Sequence, residues 1–142
     1  MPTKDNFDWM VNPPPALVAM PFWKQGAPRS REAAVKLWRA GVTIGTGTDI
    51  WQIPTGVHIE LEQLVAAGLP PLEAIHAGSG NAARILGAEK DLGTIEVGKW
   101  ADLVVLDADP LADIRNTRRI WQVVKYGQVI DRPAILKVMR PR

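Results

Sequence analysis

A chain of 142 residues, 46% of them hydrophobic, has room for one compact domain and enough apolar side chains to fill it. It has no cysteine, which excludes disulfides, thiolate metal sites and cysteine nucleophiles, and its two histidines, His58 and His76, are all the imidazole it has. No run approaches the roughly 20 apolar residues of a membrane helix and no basic-flanked apolar run opens the chain, so no membrane partner is expected and a cytoplasmic setting is.

The net charge of +2 is unevenly placed, since residues 113–142 carry eight Lys/Arg against two Asp. Arg115, Arg118, Arg119, Lys125 and Arg132 are scattered among strand-like residues, with no aromatic stacking pattern. With no recognised nucleic-acid motif they read as a solvated face, and no nucleic-acid partner is expected.

In chain order, residues 1–29 form a first unit. Six of the 12 prolines fall there, among them Pro13-Pro14-Pro15, interleaved with Met10, Val11, Leu17, Val18, Met20, Phe22 and Trp23. Proline fixes φ and removes a donor, so the expectation is an extended arm with apolar side chains that need a surface. Residues 30–40 then read as a helix, with Ser30 as cap, Ala34, Leu37 and Trp38 on one face, and Gly41 as stop. Residues 42–48, Val-Thr-Ile-Gly-Thr-Gly-Thr, read as a strand ending at Asp49.

Residues 50–57 read as a loop. Helices follow over 58–67, stopped by Gly68, from Pro70-Pro71 onward, and over 82–86, with Ser79 or Asn81 as its cap and Gly87 as its stop. Beyond Lys90 the pattern turns to strands. Residues 92–97 read as a short strand. The run Leu103-Val104-Val105-Leu106 suggests a strand buried on both faces, and residues 120–125 and 128–130 a hairpin about Tyr126-Gly127. Residues 30–90 and 91–142 thus form a helix-rich and a strand-rich unit.

The strongest chemical feature is Gly45-Thr46-Gly47-Thr48-Asp49. Functional side chains cluster at the C-terminal ends of strands in α/β folds, and a carboxylate there can ligate a metal or act as a base. On pattern alone a capping or turn aspartate fits as well. The two glycines do not complete a dinucleotide fingerprint, because Ile50 stands where the third is needed. His58 at a helix start could reach a pocket above the strand, or cap the surface. His76 reads as a packing or solvent-facing residue, and Asp107-Ala-Asp109-Pro110 as a turn.

Taken together, residues 40–49, the run from His58-Ile-Glu-Leu-Glu to Leu-Glu-Ala-Ile75, Asn81-Ala-Ala-Arg-Ile-Leu-Gly87, and Leu92-Gly-Thr-Ile-Glu-Val-Gly-Lys-Trp-Ala-Asp-Leu-Val-Val-Leu-Asp107 resemble the C-terminal third of the metal-dependent amidohydrolases. The likeness is to the imidazolonepropionase-like and prolidase-like branch and covers about residues 30–131. It implies an α/β fold: the last strand and flanking helices of a (β/α)8 TIM barrel over 30–90, and strands of a small composite β-sandwich over 91–142. It implies a hydrolase of C–N bonds, acting on small amides, cyclic amides or dipeptides with a divalent metal, in most members zinc. Asp49 matches the carboxylate that ends the last barrel strand, binds the metal and takes the proton from the attacking water. His58 matches a position on the substrate side.

The resemblance also implies a His-x-His pair and further ligands after earlier strands, and none stands in this chain. A catalytic zinc takes typically three protein ligands, and this chain offers one. The expectation is therefore a portion that is inactive and binds no metal tightly by itself. It would be completed by an N-terminal barrel half in a longer or split enzyme. The alternatives are a non-catalytic scaffold or interaction domain, or a homo-oligomer that buries the open barrel edge.

Overall fold

The computed structural model describes residues 27–48 and 56–139. The arm expected over residues 1–29 lies almost wholly outside them. Helix α1 spans Ala27–Arg39, α2 Gly56–Ala66, α3 Pro71–Gly78 and α4 Gly80–Ile85. Strand β1 (Leu103–Leu106), a 3-10 turn (Ile114–Arg118), β2 (Ile120–Lys125), β3 (Gln128–Val129) and helix α5 (Arg132–Met139) follow. No helix among the described residues is long and apolar enough to cross a membrane.

The helix punctuation follows the chemistry of the chain. Gly41, Gly68 and Gly87, at φ +84°, +107° and +69°, take the left-handed conformation that ends α1, α2 and α4. Pro70 precedes α3 and Pro71 occupies its first turn, where a missing N–H costs nothing. Helix α1 buries Val35 and leaves Leu37 half exposed, so its inward stripe lies one position away from that read in the sequence.

Neither expected cap of α4 caps it. The Ser79 hydroxyl donates instead to the Gly93 carbonyl at 2.7 Å, and the Asn81 amide to the Ile44 carbonyl at 3.1 Å. Both side chains tie α4 to distant segments.

Helices α2 and α3 pack through Leu61 and Ala74, flanked by Leu64, Val65 and Ile75. Ile114 of the 3-10 turn inserts into the same cluster, so a residue from the strand-rich half completes the helical core. Asp113 starts that turn by accepting the Arg115 N–H at 3.0 Å. The sheet has the order β1-β2-β3, all antiparallel, with Leu103 opposite Val124 and Val124 opposite Val129. Its hairpin turns on Tyr126 (φ +51°) and Gly127 (φ +74°), the two positive φ values of the turn whose twist matches the strands. Asp102 fastens it, accepting the Tyr126 N–H at 2.8 Å and pairing with Lys125.

Three expectations differ from the structure. Residues 42–48 join no ladder among the described residues, where no strand lies beside them and helices take up their backbone groups. Residues 92–97 form turns about Gly93 (φ +94°) rather than a strand. Val104 and Val105 of β1, which point to opposite faces of the sheet, remain exposed rather than buried, because no described element covers them. Helix α5, not foreseen, starts at Asp131, whose carboxylate accepts the Ala134 N–H at 3.1 Å.

Candidate functional site

The segment 42–48 is held at successive points by different helices. The Val42 N–H donates to Leu37 O at the end of α1, at 3.0 Å. The Ile44 carbonyl accepts from Asn81 of α4, and the Thr46 N–H donates to Ala77 O of α3 at 3.0 Å. The Gly47 N–H donates to Glu60 Oε1 of α2, also at 3.0 Å. Thr48 then meets the start of α2, where a Cβ on Gly56 would stand 3.4 Å from Thr48 Cβ. Backbone donors that a sheet would use are thus satisfied by helix ends and side chains. Asp49, the expected catalytic and metal-binding carboxylate, follows Thr48 in sequence and lies outside the described residues.

His58, in the first turn of α2, is half-buried. Its Nδ1 lies 3.1 Å from Thr117 Oγ1 in the 3-10 turn, and that hydroxyl donates to the Ile114 carbonyl at 2.8 Å. The hydroxyl proton is thereby committed, so the imidazole donates through Nδ1–H and leaves Nε2 as an acceptor. Burial first, then the Arg118 guanidinium, pull the His58 pKa below its ordinary value, and the nearby Glu62 opposes them. Glu62 itself pairs with Arg118 at 2.6 Å. His58 lines an apolar cavity of about 410 Å³ with Val57, Leu61, Ile75, Leu103 and Val104. The structure thus sets His58 on the seam between the helices and the sheet.

His76 is half exposed on α3, 3.8 Å from Glu73, in line with the solvent-facing reading. Asp109 serves a turn, accepting the Leu111 N–H at 2.8 Å. No group of three or more His, Asp or Glu that could hold a metal exists among the described residues. Two histidines that each have a different neighbour, in a chain without cysteine, do not fit a metal centre by themselves. Sequence reasoning missed Glu60, Thr117 and the Glu62–Arg118 pair. The alternation His58-Ile59-Glu60-Leu61-Glu62 carried a signal for Glu60, because a carboxylate beside the buried Leu61 needs a donor.

The Amidohydrolase family matches residues 16–130, and the chain belongs to that family. Within it, the chain falls in the imidazolonepropionase-like and prolidase-like branch. It is 34% identical over 119 residues to imidazolonepropionase of Symbiobacterium thermophilum, covering 77% of this chain and 27% of that one. It is 37% identical over 103 residues to ochratoxinase of Aspergillus niger, covering 68% of this chain. The solved structure of a Xaa-Pro dipeptidase with methionine bound in its active site superposes with a TM-score of 0.66 at 32% identity, over 72% of this chain and 26% of that one. The chain spans about a fifth of the length of ochratoxinase, 21%. The family and these relatives are hydrolases of C–N bonds, and the family generally uses divalent metals.

Proposed function

We propose that this chain supplies the closing portion of a (β/α)8 amidohydrolase barrel, with strands of its small β-sandwich, in a hydrolase of amide-type C–N bonds. The observation that carries it is the Gly-Thr-Gly-Thr segment that leads to Asp49 while α2, α3 and α4 take up its backbone groups.

In this reading Asp49 is the carboxylate of the reacting centre, and it receives a proton from water and returns it to the leaving amine. The other metal ligands and the remaining strands come from outside these 142 residues, whether from the same polypeptide or from a partner barrel half. We take the substrates to be small amides, cyclic amides or dipeptides, a reading supported by the likeness to imidazolonepropionase and a Xaa-Pro dipeptidase. His58, with Nδ1 bound to Thr117, would present only an acceptor to such a substrate.

The test is hydrolysis of a panel of cyclic amides and Xaa-Pro dipeptides with added Zn²⁺ or Mn²⁺. The 142-residue chain by itself is expected to give no rate. The same chain completed by the barrel half of an amidohydrolase is expected to give one that Asp49→Asn removes. A metal-dependent rate from the chain alone, lost in Asp49→Ala, would overturn the reading. A second reading, a non-catalytic module or a self-assembling one, is favoured by one observation: β1 has apolar side chains and an edge that pairs with no strand among the described residues. It predicts no rate after completion and a stable assembly instead.

A further inference from the structure

A cavity of about 410 Å³ opens at the seam between the helices and the sheet, within the roughly 300–1,000 Å³ of small-molecule sites. Its walls are apolar: Val57 and Leu61 of α2, Ile75 of α3, and Leu103 and Leu106 of β1. His58, Ser79, Asp102 and Thr117 also line it, and what each has left to offer decides what the cavity can hold. The Ser79 hydroxyl gives its one proton to the Gly93 carbonyl at 2.7 Å. The Thr117 hydroxyl gives its own to the Ile114 carbonyl at 2.8 Å and accepts the Nδ1–H of His58 at 3.1 Å. Asp102 has no proton to give, because the hydrogen bonds from Lys125 and from the Tyr126 N–H hold its carboxyl below the usual range. None of these three side chains can donate to a guest. His58 Nε2 is an acceptor, and no donor among the described residues reaches it. Burial and then the Arg118 guanidinium lower the pKa of this ring, so it stays neutral near pH 7 with that lone pair free.

We propose that this cavity binds a neutral apolar ring carrying one N–H or O–H, a molecule of the indole or phenol class, with that group donating to His58 Nε2. The walls hold the ring by releasing water from apolar side chains. A ligand that offers only a carbonyl finds no side-chain donor here. A charged ligand would lose its hydration against these walls and gain no partner, because Arg118 is held by Glu62 at 2.6 Å and Asp102 by Lys125. A ring without a donor would forgo the bond to Nε2. Thr117 sets the selectivity in advance: with the Nδ1–H committed to its hydroxyl, the tautomer of His58 is fixed before anything binds. This inference stands apart from the role proposed for Asp49, and either can fail without the other.

The test titrates the full chain, labelled with ¹⁵N at histidine, with indole and with 1-methylindole, which keeps the ring and lacks the N–H. Indole is expected to bind saturably with a Kd at or below about 1 mM, and to move the His58 Nε2 resonance. 1-Methylindole is expected to bind about fivefold or more weakly and to leave that resonance nearly in place. In His58→Leu, which keeps an apolar side chain of similar size and removes the acceptor, the two ligands should bind alike. Val57→Phe, which narrows the cavity and leaves the imidazole in the chain, should weaken both. Equal affinities of the two ligands for the unaltered chain overturn the proposal, as does an Nε2 resonance unmoved at saturation or the absence of saturable indole binding. If His58→Leu does not fold, the two ligands on the unaltered chain and Val57→Phe still decide. Indole binding that Val57→Phe leaves untouched would put the ligand outside this cavity and overturn the proposal as well.

Discussion

At the scale of single residues, His58 and Gly93 show how much hangs on one atom. The Thr117 hydroxyl gives its proton to Ile114 O and accepts the one on His58 Nδ1, so one buried hydroxyl joins α2 to the 3-10 turn. The charged groups facing this imidazole are Arg118 from the turn and Glu62 from α2 itself, and burial is the leading cause of its lowered pKa. A depressed pKa means that the unfolded chain takes up the proton first. The stability due to neutral His58 is therefore complete above its ordinary value of 6.5 and is lost as pH falls through that value towards the folded-state one. Urea titrations across this window are expected to show the midpoint falling with pH in the unaltered chain and a flatter dependence in His58→Gln. Equal slopes in the two proteins would remove His58 as the cause. The carboxylates of Glu96, Asp102 and Asp113, held below their ordinary values by donated hydrogen bonds, titrate at lower pH and leave the window clear.

Gly93 gives the second residue-scale prediction. It sits at φ +94°, and a Cβ there would stand 2.6 Å from Ala83 Cβ and 3.0 Å from Gly80 Cα. Strain and overlap combine, because neither neighbour is the free end of a flexible side chain. Gly93→Ala should cost roughly 2–4 kcal/mol, read as a lowered urea midpoint with unchanged slope. A change below about 0.5 kcal/mol would mean that α4 yields easily.

At the scale of elements, α2 is where the two halves of the chain meet. Its Leu61 packs on Ala74 of α3 and Ile114 of the turn, its Glu62 pairs with Arg118, and its Glu60 holds Gly47. Leu61→Ala is accordingly expected to destabilise by about 2–4 kcal/mol and to loosen the 3-10 turn along with the helices. Hydrogen exchange resolved by residue would show it, with Arg119 N–H losing protection alongside Ala74. Exchange that quickens in the helices alone would argue that the turn is held by the sheet. The helices were legible because their signals are local: Pro70-Pro71, Gly41, Gly68 and Gly87 act through their own φ values. The hairpin was legible for the same reason. Val42, Thr43 and Ile44 favour extended backbone, which is why residues 42–48 read as a strand. A ladder, however, needs a second strand, which no local pattern supplies. The clamps on this segment come from Glu60, Ala77 and Asn81, 13 to 37 residues away for the two side chains, and such pairings leave no periodicity to find.

At the scale of the whole molecule, the balance of apolar burial is unusual. Among the described residues the core is Val35, Leu61, Leu69, Ala74, Ala77, Ala83 and Ile114, and no large side chain is fully buried. Sixteen large hydrophobic residues stay exposed, with Ile95 at 86%, Val97 at 108% and Val104 at 57%. Single exposed apolar side chains are ordinary, but Ile95, Val104 and Val105 line one shallow groove of about 630 Å³ with Leu103, Leu106 and Pro110. This groove runs along β1, whose outer edge pairs with no strand among the described residues. An apolar face joined to an open edge is a template for another strand, and in concentrated solution the available one is a second copy of this chain. Sedimentation velocity is thus expected to show a mass above the 15.6 kDa of one chain, rising with concentration. Val104→Lys should weaken that association by about tenfold or more, because burying an unpaired ammonium costs more than about 1.4 kcal/mol. The same exposed substitution should leave the unfolding free energy within about 0.5 kcal/mol. Completion with an N-terminal barrel half should compete with the self-association if the half brings a strand to β1. A monomer mass that does not change with concentration would show that the groove is too shallow to hold a partner strand, and would leave the helix face along residues 42–48 as the edge to be covered.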